Sequence, residues 1–243
     1  MHVWLPEGIT TTAPAVDHLF YIILWLTGAV FVLVQATLLY FLVRYRHRAG
    51  RPAHYTHGNT MVETVWTAIP AVILVALALH SQRIWAQVRG TPPPAALEIE
   101  IAAQQFAWNV HYPGADQRLG RSDPRLVDEA SNPIGLDRND PDAKDDIVTV
   151  NQLHLPANRV TLIRLRSKDV IHSFFVPQFR MKQDAVPGFT GRLWVSPTKI
   201  GNYEIACAEL CGLGHYRMRG FLTVESDDAF AAWLAEALKE QQG

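Results

Sequence analysis

The chain opens on apolar runs, not on alternation. From Leu19 to Val43 there are 25 residues without a formal charge, more than the roughly 20 apolar residues an α-helix needs to cross a bilayer. A second uncharged run, Thr64 to Gln82, carries Pro70 and His80; membrane helices tolerate such a proline when neighbours satisfy the freed carbonyl. Two transmembrane helices are predicted, over 19–43 and 63–88. A buried helix of a soluble core is the competing reading of the second. Arg44, Arg46, Arg48 and Arg51 crowd the intervening loop. Basic loops stay cytoplasmic, so segment 44–62 lies inside, and the tail 1–18 and everything after residue 90 lie outside. The first run lacks a basic leader and exceeds a signal core in length, which argues against a cleaved signal peptide.

After the second helix the period changes. Thr91-Pro92-Pro93-Pro94, within a linker over 89–96, is a stiff spacer. Leu97-Glu98-Ile99-Glu100-Ile101 alternates with period two, the mark of a half-buried strand. Strand-like runs recur at 107–112, 147–150, 160–166, 171–176, 192–196, 203–207 and 220–224. Short strands separated by turn residues predict an all-β sandwich or barrel over 97–225. In the final segment, 226–243, Phe230, Trp233, Leu234 and Leu238 form one apolar stripe at helical spacing, predicting a helix packed on the sandwich. One stretch fits neither period. Gly114–Asp146 holds nine acids against five bases and reads as a solvated insertion, or more sharply as an acidic landing surface for a basic partner.

Composition narrows the function. The formal net charge is −1, which gives no basic footprint for nucleic acid. Two cysteines in 243 residues exclude a disulfide-rich scaffold. Both fall in one segment, which also holds Glu209, His215 and Met218, from Cys207 to Met218. Thiolate, imidazole and thioether together suit a soft metal, copper best. A Cys207–Cys211 disulfide would leave His215 and Met218 unexplained. A structural zinc site, with His172 as a second imidazole, has little use for Met218. A mononuclear blue-copper site has one cysteine fewer. The extra thiolate makes sense if both sulfurs bridge two copper ions.

The segment resembles the binuclear copper A loop of cytochrome c oxidase subunit II, whose pattern Cys-x-x-x-Cys-x-x-x-His-x-x-Met is met at Cys207, Cys211, His215 and Met218. Asp169-Val170-Ile171-His172, Lys182-Gln183-Asp184-Ala185-Val186-Pro187-Gly188 and Glu63-Thr64-Val65-Trp66 resemble other stretches of that family. The resemblance implies a two-helix hairpin, a cupredoxin-like Greek-key sandwich and a short C-terminal helix. It implies bridging roles for Cys207 and Cys211, one copper each for His172 and His215, and weak ligation by Met218 and by the Glu209 carbonyl. The Glu209 carboxylate would hold magnesium or manganese at the interface with the catalytic subunit, subunit I. Asp169, Lys182 and Asp184 become supporting or interface residues. Glu63 becomes a proton-path entrance, although Thr60-x-x-Glu63 also reads as a capping box.

Gln105-Phe106-Ala107-Trp108 departs from the family's Gln-Trp-x-Trp pattern. Phe106 therefore stands where the tryptophan that takes electrons from the donor is usual, and Trp108 reads either as an aromatic on that route or as core. His111, His154, His47, His54 and His57 match no ligand position and read as surface residues. The implied role is to accept electrons from a c-type cytochrome, free or within a membrane complex, and to pass them to haem in the catalytic subunit. Oxygen reduction and proton pumping would occur there, alongside other oxidase subunits. The lipid bilayer, in a bacterial plasma membrane, is the setting expected. The alternatives are a copper-free quinol oxidase subunit and a membrane-anchored structural zinc or copper-carrier protein.

Overall fold

A computed structural model describes residues 4–52, 55–93 and 97–242. Pro94 of the spacer and His54 lie outside the described residues. Contacts divide the chain into a unit of residues 15–87 and a second of residues 1–14 with 88–243.

The first unit is built on helices α1 (Ala13–Arg44) and α2 (Thr60–Arg89). At 1.5 Å per residue they measure about 48 and 45 Å, more than the roughly 30 Å of a bilayer's hydrocarbon. Large apolar side chains such as Trp25, Phe31, Leu33, Leu74 and Leu79 stand exposed along them. Surfaces this apolar suit lipid rather than water. The start of α2 corrects the capping box. Asn59 is the cap: its Oδ1 accepts from the N–H groups of Met61 and Val62 at 3.1 and 3.2 Å. Glu63 sits one position too late to complete a box with Thr60 as first helical residue, and its carboxylate lies over Gly58.

The second unit is a sandwich of two five-stranded sheets. Sheet one uses β1 (Leu97–Gln104), β2 (Ala107–Tyr112), β3 (Ile147–Val150), β5 (Thr161–Ser167) and β8 (Gly191–Val195). Sheet two uses β4 (Gln152–Pro156), β6 (His172–Val176), β7 (Met181–Ala185), β9 (Gly201–Cys207) and β10 (Arg219–Glu225). Their orders are β3-β2-β1-β5-β8 and β4-β10-β9-β6-β7. Most neighbours are antiparallel, but β1 with β5 and β10 with β4 run parallel. This is the cupredoxin-like sandwich that the resemblance implied. Period two places Ile99, Ile101, Ile163 and Leu165 from sheet one against Phe174, Val176, Ile205 and Leu222 from sheet two, all at most 1% exposed. Helix α3 (Asp227–Gln242) turns its predicted stripe onto this core: Phe230 is buried and Trp233, Leu234 and Leu238 pack beside it.

The N-terminal tail joins the same core. Ile9 is 1% exposed; its N–H donates to the Gln178 carbonyl at 2.9 Å and its carbonyl accepts from Thr198 N–H at 2.7 Å.

The insertion 114–146 is not a solvated loop. Ile134, Leu136 and Ala143 pack on Ala102 and Val148, forming a second small core over the outer face of β1. Its acids are largely occupied in holding that shape. Asp123 caps the turn at Pro124–Leu126, and Asp140 caps the one at Pro141–Ala143. Side-chain and backbone hydrogen bonds from Arg125 hold the Asp123 carboxyl down at about 2. Glu129 pairs with Lys168 at 2.8 Å. The arginines that pair with these acids, Arg121 and Arg125, belong to the insertion itself, so its excess of acids stands as the sequence has it.

Two of the histidines read as surface residues are not. His111 is 2% exposed and bonds Asp146 at 2.6 Å. His154 stacks on Trp233 with centroids 3.9 Å apart and bonds Glu225 at 2.8 Å. Each needs a carboxylate supplied from far along the chain. His47 and His57 are exposed as expected.

Candidate metal centre

Five of the six donors lie on one hairpin connection. β9 ends at Cys207 and β10 begins at Arg219, and Cys207 N–H donates to the Met218 carbonyl at 3.1 Å, closing the loop at its base. Within it, N–H groups of His215, Arg217 and Met218 donate back to Gly212, Gly214 and His215, winding the loop inward. Gly212 takes φ +131, and a Cβ on Gly214 would run into the Phe106 ring. The two glycines therefore permit both the curl and the close approach of Phe106. The sixth donor, His172, opens β6, which pairs with β9 through Phe174↔Cys207.

The donor atoms converge. The two Sγ atoms stand 3.8 Å apart, too far for an S–S bond near 2.05 Å, and both cysteines are free. Nδ1 of His172 is 3.9 Å from Cys207 Sγ, and Nδ1 of His215 is 3.7 Å from Cys211 Sγ. Met218 Sδ is 3.7 Å from Cys211 Sγ, and the Glu209 carbonyl is 3.2 Å from Cys207 Sγ. His172, Cys211 and Met218 are buried at 0%, 4% and 2% exposure. Burial and the neighbouring Cys207 thiol push the Cys211 thiol up to about 11. Two thiols, two imidazoles and a thioether sharing one pocket suit copper, and the Met218 thioether fits poorly with zinc.

The pocket has an outer layer. Nε2 of His172 bonds Asp169 Oδ1 at 2.8 Å. That bond directs the ring's other nitrogen toward the sulfurs. Partial burial works against ionisation of Asp169, yet bonds from the His172 ring and from the N–H groups of Gln105 and Val170 hold its carboxyl below the ordinary range. Gln105 is a residue that sequence reasoning passed over. Its N–H donates to Asp169 Oδ2 at 2.7 Å and its side chain donates to the Cys211 carbonyl at 2.6 Å. It thus ties the His172 side of the pocket to the cysteine loop. It heads the Gln105-Phe106-Ala107-Trp108 stretch, but that pattern does not signal these bonds, because both partners are distant in sequence.

The remaining residues of interest are spread out. Trp108 is fully buried, edge-on to His172 with centroids 6.2 Å apart, so it offers no surface to a partner. Phe106 is half-buried over the loop glycines. Asp184 accepts from Ser173 Oγ at 2.6 Å, and Lys182 lies 3.9 Å from Asp184; neither reaches the donors. The Glu209 side chain is exposed. Glu63 belongs to the helical unit and is described there alone.

Comparison with known proteins agrees along the whole chain. The family models "Cytochrome C oxidase subunit II, transmembrane domain" and "Cytochrome C oxidase subunit II, periplasmic domain" match residues 1–84 and 97–226. The alternative cytochrome c oxidase subunit 2 of Bradyrhizobium diazoefficiens is 39% identical over 96% of this chain and 83% of its own length. The cytochrome c oxidase subunit 2 of Thermostichus vulcanus is 33% identical over 96% of this chain and 78% of its own. Among solved structures, the periplasmic domain of subunit II from Bradyrhizobium japonicum is 29% identical, covers 62% of this chain and 99% of its own, and has a TM-score of 0.45. The chain belongs to the cytochrome c oxidase subunit II family: it is a two-span membrane protein with a periplasmic domain, and a subunit of an oxidoreductase complex.

Proposed function

We propose that this chain is the electron-receiving subunit of a respiratory terminal oxidase, with binuclear copper A held by His172, Cys207, Glu209, Cys211, His215 and Met218. The observation that carries the reading is the convergence of these six donors in one pocket, with His172, Cys211 and Met218 buried. When bound, the copper pair supplies a one-electron store shared between two nuclei. The two sulfurs, 3.8 Å apart, are placed to bridge. His172 and His215 each present Nδ1 beside a different sulfur. The Glu209 carbonyl stands by Cys207 and Met218 by Cys211, so the weak donors serve opposite ends. A pocket that need not rearrange lowers the barrier to electron transfer.

The donor in this reading is a c-type cytochrome, and the acceptor is haem in subunit I. Phe106, half-buried over the loop glycines, takes the place of the usual tryptophan. The exposed Glu209 carboxylate is available for magnesium or manganese shared with subunit I. Glu63, near the start of α2, serves as the proton-path entrance. The full donor set favours this role over that of a copper-free quinol oxidase subunit, and six converging donors suit a permanent centre better than a carrier that must release its metal.

The test is metal analysis and spin resonance of the full chain reconstituted with copper in detergent. Two coppers per chain and hyperfine structure from two equivalent nuclei are expected; one copper, or one zinc, overturns the bridged centre. Gln105→Ala is expected to retain both coppers but to weaken their affinity about tenfold, within the range for outer partners of metal ligands. Copper competition titration measures it, and an unchanged affinity removes Gln105 from the pocket's support.

A further inference from the structure

The outward face of sheet one carries a guanidinium, that of Arg164, whose Nε its neighbours leave without a hydrogen bond. β5 directs Arg164 and Arg166 away from the core, and Arg164 is the antiparallel register partner of Arg192 on β8. Like charges directly opposite on one face repel. The acids within reach are Glu98 and Glu100 on β1. Glu100 is committed to Arg166, whose Nε donates to it at 2.7 Å. Glu98 stands 3.7 Å from Arg164 Nη1, beyond a good hydrogen bond. Arg164 Nε is buried and has no hydrogen-bond partner, a situation that ordinarily destabilises a folded chain.

A cleft of about 590 Å³ opens over these residues, walled by the insertion at Ser122 and Val127 and by the β7–β8 turn at Pro187 and Gly188. Arg164, Arg166 and Lys168 line it. A guanidinium fork matches two oxygens of a tetrahedral anion, and its charge strengthens each bond. We propose that this cleft binds a phosphate group, with Arg164 as the principal donor. The group has two sources, a free phosphate or a phospholipid headgroup. The second is reasonable because Gly90 and Pro92, which follow α2, line the adjoining hollow with Arg192 and Trp194.

The test uses the full chain. Inorganic phosphate is titrated into detergent-solubilised protein and followed by calorimetry. In a second arm the protein is reconstituted with phosphatidylglycerol, re-extracted, and its retained lipid weighed by native mass spectrometry. Arg164→Gln is expected to weaken the ligand about tenfold. The exposed Arg192→Gln, which removes the positive neighbour of Arg164 across β5 and β8 without touching the cleft wall, is expected to weaken it about threefold through lost charge. Arg118→Gln, an exposed arginine that does not line the cleft, is expected to change nothing. Saturable phosphate binding with this order supports a free anion; lipid retention with this order supports a headgroup. Absence of both ligands, or equal behaviour of wild type, Arg164→Gln and Arg192→Gln, overturns the site.

Discussion

Cys211→Ser is expected to abolish the two-copper centre and to slow electron transfer from reduced cytochrome by more than about a hundredfold, beyond what loss of an outer partner does. Cys211, like Cys207, stands next to three other donors of the pocket. Its Sγ is the near neighbour of Cys207 Sγ at 3.8 Å, of His215 Nδ1 at 3.7 Å and of Met218 Sδ at 3.7 Å. Removing it unlinks three donors at once, whereas removing Met218 unlinks one. Serine is close in size, and the residue is 4% exposed, so the sandwich should fold. Stopped-flow oxidation of the cytochrome by the assembled oxidase reads the rate, and spin resonance reads the metal. A two-nucleus spectrum surviving in the variant would remove Cys211 as a bridge.

The second large effect concerns stability. Asp146 is fully buried and accepts from His111 Nε2 at 2.6 Å, Gly120 N–H at 2.7 Å and Gly114 N–H at 3.3 Å. It joins β2 to both ends of the insertion. Asp146→Ala strands a buried imidazole and two N–H groups, and breaking such a buried pair costs about 3–5 kcal/mol. For a unit of this size that lowers the thermal midpoint by about 10 °C or more. Asp146→Asn, which keeps an acceptor oxygen, should lose less. Thermal unfolding of the full chain in detergent measures both, and an alanine variant within about 1 kcal/mol of wild type would show the pair to be dispensable.

The two cases differ in how openly the sequence declares them. Cys207, Glu209, Cys211, His215 and Met218 are confined to one hairpin connection, so their spacing is itself the site. His172 lies 35 positions from Cys207; its spacing offers it only as a candidate imidazole, and its place among the copper donors came from its likeness to a family pattern. Gln105 left no trace, because its role consists of bonds to Asp169 and to a backbone carbonyl brought near by the pairing of distant strands. The two long helices followed from uncharged apolar runs, and α3 and eight strands from their periods. β4 and β7 did not: both are edge strands, where alternation weakens and a residue such as Pro156 is tolerated. His111 and His154 were misread for a related reason. Their burial depends on Asp146 and Glu225, 35 and 71 positions away, and a lone histidine looks the same with or without such a partner.

The seating of Ile9 has a consequence for biogenesis. The sandwich draws on residues before the first span and on residues after the second, so its interior closes only once both ends of the chain have reached the same compartment. A hairpin inserted the wrong way round leaves the two halves together but in the cytoplasm, and one that stalls after a single crossing leaves a hole where Ile9 belongs. The seat of Ile9 therefore makes closure of the sandwich depend on two completed crossings of the membrane.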